Sequence, residues 1–310
     1  MEKIRIVYLT GFWFSGATIL GRSLKSSNEA IYVGEIRDFW TKGLKKNDKC
    51  SCGERFDNCS FWTEVKKEYL SSFPSENIEK ISKDLNELEK TGNYFKLRRF
   101  IKRRDNNQFQ KLLDTYILHT EKLYESISKI SGKNIIVDSS RLPGRLLALS
   151  LSKNIEIYPI YMIRDPRGVV NSLIKKDLRN FGKIKNSPVK HIIAWNVKNL
   201  LSLDSIKFLN STDTLYLWYK NFTRNPTYAL EIIKKKLNCD LNYQEENGKV
   251  SLHLEPGHVF TGNRSRHETG KITITEDIKW KKELSRLRKV LVSITSLPLL
   301  KYLVKKYNLN

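Results

Sequence analysis

No stretch of this chain is apolar enough, for long enough, to cross a bilayer. The longest apolar run near the end, Val290 to Leu300, falls short of the roughly 20 residues a spanning helix needs and carries Pro298. At the other end, MEKIRIVYL runs directly into a strand pattern and leaves no room for a signal peptide or anchor helix ahead of it. The expectation is a soluble, cytoplasmic protein whose contact with a membrane is at most peripheral. There is no internal repeat and no low-complexity segment.

Acidic residues are scarce. Asp and Glu number 33 against 56 Lys and Arg, a formal net charge of +23. A field of that sign draws polyanions: nucleic acid, an anionic membrane surface, acidic nucleotides or acidic sugars. A lysine-rich background accounts for part of it without any partner. Histidine is scarce too, and His119, His191, His253, His258 and His267 are scattered without metal-ligand spacing. Each is read as structural or solvated.

Cysteine is confined to four positions, three of them in the C-x-C-G and C-x-F-W segments of Cys50, Cys52 and Cys59. Three thiols this close suit a zinc corner lacking one ligand, or a disulfide with one thiol left over. No nearby histidine completes a set, and cytosolic redox chemistry argues against a lasting disulfide. The cluster is read as structural, and no metal is assigned.

What the chain does have is 310 residues with 40% hydrophobic content, enough for a sizeable core. It is organised around Ile4 to Leu24, which reads as a buried strand, a glycine-flanked loop and a helix. Gly11, Gly16 and Thr18 fall where G-x-x-x-x-G-K-[ST] places them, with Ala17 where the lysine belongs. Backbone N–H groups at the helix N-terminus still suit an anion. A phosphate site survives this change, whereas a magnesium-dependent nucleotide hydrolase is disfavoured.

Further strands are expected at Ala30–Val33, Ile135–Val137, Ile155–Ile163 and Leu215–Tyr219. Residues 191–209 read as a helix with Ile192, Ile193, Val197, Leu200 and Leu201 on its core face, and Thr227 to Leu237 as another. The C-terminal run from Lys281 is expected to pack on the sheet as one or two helices. Residues 62–129 are helical in texture and include KLRRFIKRR from Lys96 to Arg104, a basic face suited to solvent, an acidic substrate or a membrane surface. Three segments then carry chemistry: Gly34-Glu35-Ile36-Arg37; Val137-Asp138-Ser139-Ser140-Arg141-Leu142-Pro143; and Arg164-Asp165-Pro166-Arg167 with Ser172 five residues on. Gly262-Asn263-Arg264-Ser265-Arg266, with Trp280 later, is a softer fifth.

In this order these motifs resemble the PAPS-dependent sulfotransferases, a P-loop-related family, over nearly the whole chain. The resemblance implies an α/β fold with a central parallel sheet flanked by helices. It implies a single domain over 1–310, with a helical insertion at about 62–129 that walls the acceptor side. The co-substrate would be 3′-phosphoadenosine 5′-phosphosulfate (PAPS), with no metal required. The acceptor would be a hydroxyl or amine of a small molecule, lipid or glycan, and no nucleic acid partner is expected. By the same resemblance Ser15, Gly16, Ala17 and Thr18 hold the 5′-phosphosulfate, and Arg164 and Ser172 hold the 3′-phosphate with Arg264 or Arg266. Glu35 is the general base, and Arg141 steadies the leaving phosphate.

The departure is Phe14, where the family has a basic residue. Either another cation, such as Arg22, Arg37 or Arg141, covers the same oxygen, or the chain binds nucleotide without efficient transfer. Outside this class stand a polyanion-binding protein that uses the charge alone and a P-loop kinase with Asp138 on magnesium.

Overall fold

Strand β1 (Ile4–Gly11) is apolar on both faces because it runs through the middle of a parallel sheet. Side chains alternate across it: Ile6 and Tyr8 enter one core, Val7 and Leu9 the other. The neighbouring strands repeat the division. In β3 (Ile135–Asp138) Ile136 joins the first core, and Ile135 and Val137 the second. In β4 (Ile155–Ile163) Tyr161 and Ile163 face Ile160 and Met162 across the sheet. With β2 (Ala30–Gly34) and β5 (Leu215–Trp218) at the edges, the order is β2-β3-β1-β4-β5. Every pairing in this sheet is parallel. The fold is α/β, a central parallel sheet flanked by helices.

The computed structural model describes residues 3–74, 76–103, 106–184, 187–209, 213–246 and 248–309, so Arg104 of the basic segment lies outside the described residues. Between β2 and β3 the chain makes a helical excursion through Ser60–Ser71, Ile78–Glu89, Tyr94–Arg103 and Asn107–Ser131. The basic helix Tyr94–Arg103 buries Leu97, Phe100 and Ile101 and pairs Arg98 with Asp204. The helix Ala17–Leu24 packs on the opposite face with Pro226–Leu237. A small antiparallel sheet that sequence reasoning did not foresee joins them, β6 (Gln244–Glu246), β7 (Lys249–Leu254) and β8 (Gly270–Thr273). Among the described residues no helix is long and apolar enough to cross a membrane.

Two expectations are corrected. The helix Pro188–Leu209 buries Ile192 and Leu201 as expected, but Ile193 (56% exposed), Val197 and Leu200 face outward. Its core face is formed instead by Trp195, Lys198, Asn199, Ser202 and Ile206. A helix apolar on both sides offers no wheel that separates core from surface. The C-terminal helix Arg286–Lys306 packs mainly against Pro166–Phe181 and Pro188–Leu209, a helix layer, and the run meets the sheet at its far end, where Tyr307 stacks on Tyr216 of β5.

Candidate functional site

The loops after β1, β2, β3 and β4 gather at the carboxyl end of the sheet, where open parallel sheets place ligands. They border a cavity of about 860 Å³. After β1 the chain turns through residues 12–16 into the helix Ala17–Leu24, whose first N–H groups have no intrahelical acceptor. Gly16 caps this helix at φ 101°, and a Cβ there would lie 2.5 Å from the Tyr219 ring, so the position accepts only glycine. Phe14 also has a positive φ, 61°, uncommon for a bulky residue, so the turn is held by its surroundings.

Arg164 does much of that holding. At the end of β4 its guanidinium donates to the Phe14 carbonyl at 2.9 Å and to the carbonyl and carboxylate oxygens of Asp277, each at 3.0 Å. It lies over the Tyr219 ring, 4.6 Å from the centroid. Burial opposes the charge on Asp277, but the Lys279 N–H and Arg164 together hold its carboxyl below the usual range. Ser172 follows on the helix Pro166–Phe181, where Asp165 caps the N-terminus by accepting from the Arg167 N–H. The Ser172 hydroxyl donates to the Gly168 carbonyl at 2.9 Å and must rotate before it can donate to a ligand.

On the opposite wall Glu35 sits directly after β2. Arg141, at the end of β3 in left-handed backbone (φ 56°), donates to Glu35 Oε1, and Arg37 Nε lies 3.7 Å from Oε2. Behind them is Lys198, 8% exposed, its ammonium 4.7 Å from the Trp13 ring centroid. Burial first, then Arg37 and Arg141, push its pKa down to about 8. Sequence reasoning missed Lys198; the signal was a lysine three residues after Trp195 on a face otherwise built of small polar and apolar residues.

The segment Gly262–Arg266 covers the cavity between these walls. Arg22, offered earlier as a stand-in cation for the missing base at position 14, is committed elsewhere: it donates to the carbonyls of Ser265 and Glu268 and anchors this segment from below. Arg264 is exposed at the rim, and Arg266 folds back onto the Gly262 carbonyl at 3.0 Å. Burial pushes the guanidinium of Arg266 down from its ordinary value.

Of the sequence-chosen residues, Gly16, Ala17, Thr18, Glu35, Arg141, Arg164, Ser172, Arg264 and Arg266 border this one cavity; Ser15 does not. Its side chain is buried with an unpartnered hydroxyl. Among the described residues the lining holds nine lysine or arginine side chains against three carboxylates, a strong preference for anions. Among the described residues none of 62–129 lines it. The expectation that residues 62–129 wall this cavity is therefore corrected: those helices pack into the core, and Leu173, Lys176, Lys190, His191 and Ala194 are among the residues that line it. Nor is Asp138 available to a metal at the cavity. It is fully buried, accepting from Tyr124 Oη at 2.6 Å and Arg145 Nε at 3.2 Å. His258 is likewise away from the cavity, against Cys59.

No protein-family model matches the sequence, and no curated protein does. Solved structures do. The chain is similar in structure to sulfotransferases. The sulfotransferase domain of the Synechococcus PCC 7002 olefin synthase matches at a TM-score of 0.46 and 16% identity, over 95% of this chain and 94% of that one. The sulfotransferase domain of the curacin biosynthetic pathway matches at 0.45 and 14%, over 95% and 97%. Sulfotransferase STF9 from Mycobacterium avium matches at 0.45 and 10%, over 78% and 66%.

Proposed function

We propose that this protein is a sulfotransferase that binds PAPS and passes its sulfuryl group to an acceptor hydroxyl. The observation that carries this reading is that Arg164 rests on the glycine turn and borders one cavity with Glu35, which supports reading the turn as a grip for the 5′-phosphosulfate and Arg164 as a grip for the 3′-phosphate. The unpartnered buried donors fit such a ligand. Arg37, Arg141 and Arg266, which border the cavity, each have an Nε without a hydrogen-bond acceptor; buried donors of this kind are costly unless something accepts from them.

In this reading the acceptor oxygen attacks sulfur in line as the bond from sulfur to the 5′-phosphate oxygen breaks, leaving 3′,5′-ADP, and Glu35 takes the acceptor's proton. Arg141 and the loop amides steady the charge that builds on the departing phosphate. Arg164 and Ser172 hold the 3′-phosphate, with Arg264 or Arg266 closing over it. Transfer of label from PAPS to a panel of sugars, phenols and lipids tests this. The reading predicts product with at least one class and loss of turnover in Glu35→Gln; full turnover in Glu35→Gln would overturn the assignment of the base.

One observation favours a second reading, binding without efficient transfer. Position 14 offers the cavity an aromatic side chain and spends its carbonyl on Arg164. That reading predicts tight 3′,5′-ADP binding together with no transfer to any acceptor.

A further inference from the structure

Outside the cavity, the fold completes a donor set that sequence reasoning left one ligand short. His258, 199 residues away along the chain, places Nδ1 3.2 Å from Cys59 Sγ. One ligand atom from each of Cys50, Cys52, Cys59 and His258 lies within 4.8 Å of all the others. Tetrahedral zinc with thiolates at about 2.3 Å requires ligand atoms roughly 3.8 Å apart, so the four converge at the spacing of a coordination shell. All four cysteines of the chain are unbridged.

We propose that Cys50, Cys52, Cys59 and His258 bind one zinc ion in a closed site of three sulfurs and one nitrogen that fixes the 257–262 segment beside the cavity. Three soft thiolates and an imidazole select zinc over hard cations. Four protein ligands leave no open position for substrate, and none of the four borders the cavity, so the metal's role is structural. Cys59 is the N-cap of Ser60–Ser71, where the positive end of the helix favours a thiolate.

The surroundings are built to hold both halves. Ser51, between two of the ligands, donates its hydroxyl to the Gly257 carbonyl at 2.7 Å and accepts from the Val259 N–H at 2.9 Å. The Ser51 N–H donates to the Val259 carbonyl at 3.0 Å. The His258 ring stacks on Phe61, and its carbonyl accepts from Trp62 Nε1 at 2.7 Å. From this clamp the chain passes directly over Gly34, where a Cβ would meet Val259 at 2.5 Å, and reaches Gly262 beside Glu35. The clamp thus sets the height of the segment that carries Arg264 and Arg266.

The test uses the full chain expressed with zinc and purified under reducing conditions. Elemental analysis should find one zinc per chain that survives dialysis and leaves when a mercurial modifies the thiols. The stripped protein should take one cobalt(II), with the absorption bands of cobalt–thiolate bonding. Cys52→Ser and His258→Ala should weaken zinc binding by more than ~100-fold, beyond the cost of losing an outer hydrogen bond to a metal ligand. Stripping zinc should also speed hydrogen exchange in 257–266 and leave β1 and β3 unchanged. Zinc below a tenth of an equivalent, with no cobalt–thiolate bands in the folded wild type, would overturn the proposal. A Cys50–Cys59 disulfide in protein isolated without reductant would do the same, and both readouts are free of the risk that a variant misfolds.

Discussion

The guanidinium of Arg164 donates to the backbone carbonyl of Phe14 across 2.9 Å, joining the end of β4 to the turn that ends β1. Two motifs 150 residues apart are thereby one structure. A residue that holds the turn and also faces the cavity has two jobs, and substitution separates them.

Lysine at position 164 keeps the charge and loses the fork. Arg164→Lys is expected to weaken 3′,5′-ADP by about 10- to 100-fold, the worth of a charge-assisted hydrogen bond or two, and to change ADP affinity far less. Calorimetry on both nucleotides checks this; equal losses for the two would assign Arg164 to the turn alone.

Phe14 borders the cavity without supplying a cation. An arginine there restores a donor toward the bridging oxygen, so Phe14→Arg is expected to raise the rate of transfer about tenfold or more with little change in nucleotide affinity. The comparison is kcat against the nucleotide KM. No gain in kcat would mean that Arg37 or Arg141, both of which border the cavity, already fills that role.

Gly16 has no room for a side chain, since the Tyr219 ring would stand 2.5 Å from its Cβ, and its φ of 101° disfavours any other residue. Gly16→Ala should cost about 1–3 kcal/mol of stability and abolish nucleotide binding. Tyr219→Ala in the same chain removes the clash but not the strain, so it should recover part of the melting temperature. Full recovery would mean that the backbone is unstrained.

Much of the fold, and of which residues border the cavity, is legible in the sequence for a physical reason. Strands such as Ile155–Ile163 announce themselves by an apolar run, and Arg164 and Ser172 by their fixed offset from its end. What escaped was set by packing between distant segments. Nothing near Cys50 in the chain points to His258, and nothing in residues 62–129 says whether those helices line a cavity or fill a core. The face of Pro188–Leu209 was misjudged because Ile193, Val197 and Leu200 are apolar and yet exposed, while Lys198 and Asn199 are polar and buried.

Lys198 gives a pH test. Its folded pKa, pushed down to about 8, lies below that of an unfolded lysine, so between about pH 8 and 10.5 the unfolded chain holds more protons and stability from this group rises with pH. Below about pH 8 the buried charge costs the fold on the order of 3 kcal/mol. Lys198→Met should therefore be more stable than wild type at about pH 7, and the gap should close as pH rises past about 10. A constant gap in denaturant melts would contradict the burial of a charge there.

The most direct measurement is calorimetric titration of the full chain with 3′,5′-ADP and with ADP in the absence of magnesium. Two anion grips in one cavity predict that 3′,5′-ADP binds at least about tenfold more tightly, and that Arg164→Ala erases the difference. Equal affinities, or a preference for ADP that requires magnesium, would contradict the account.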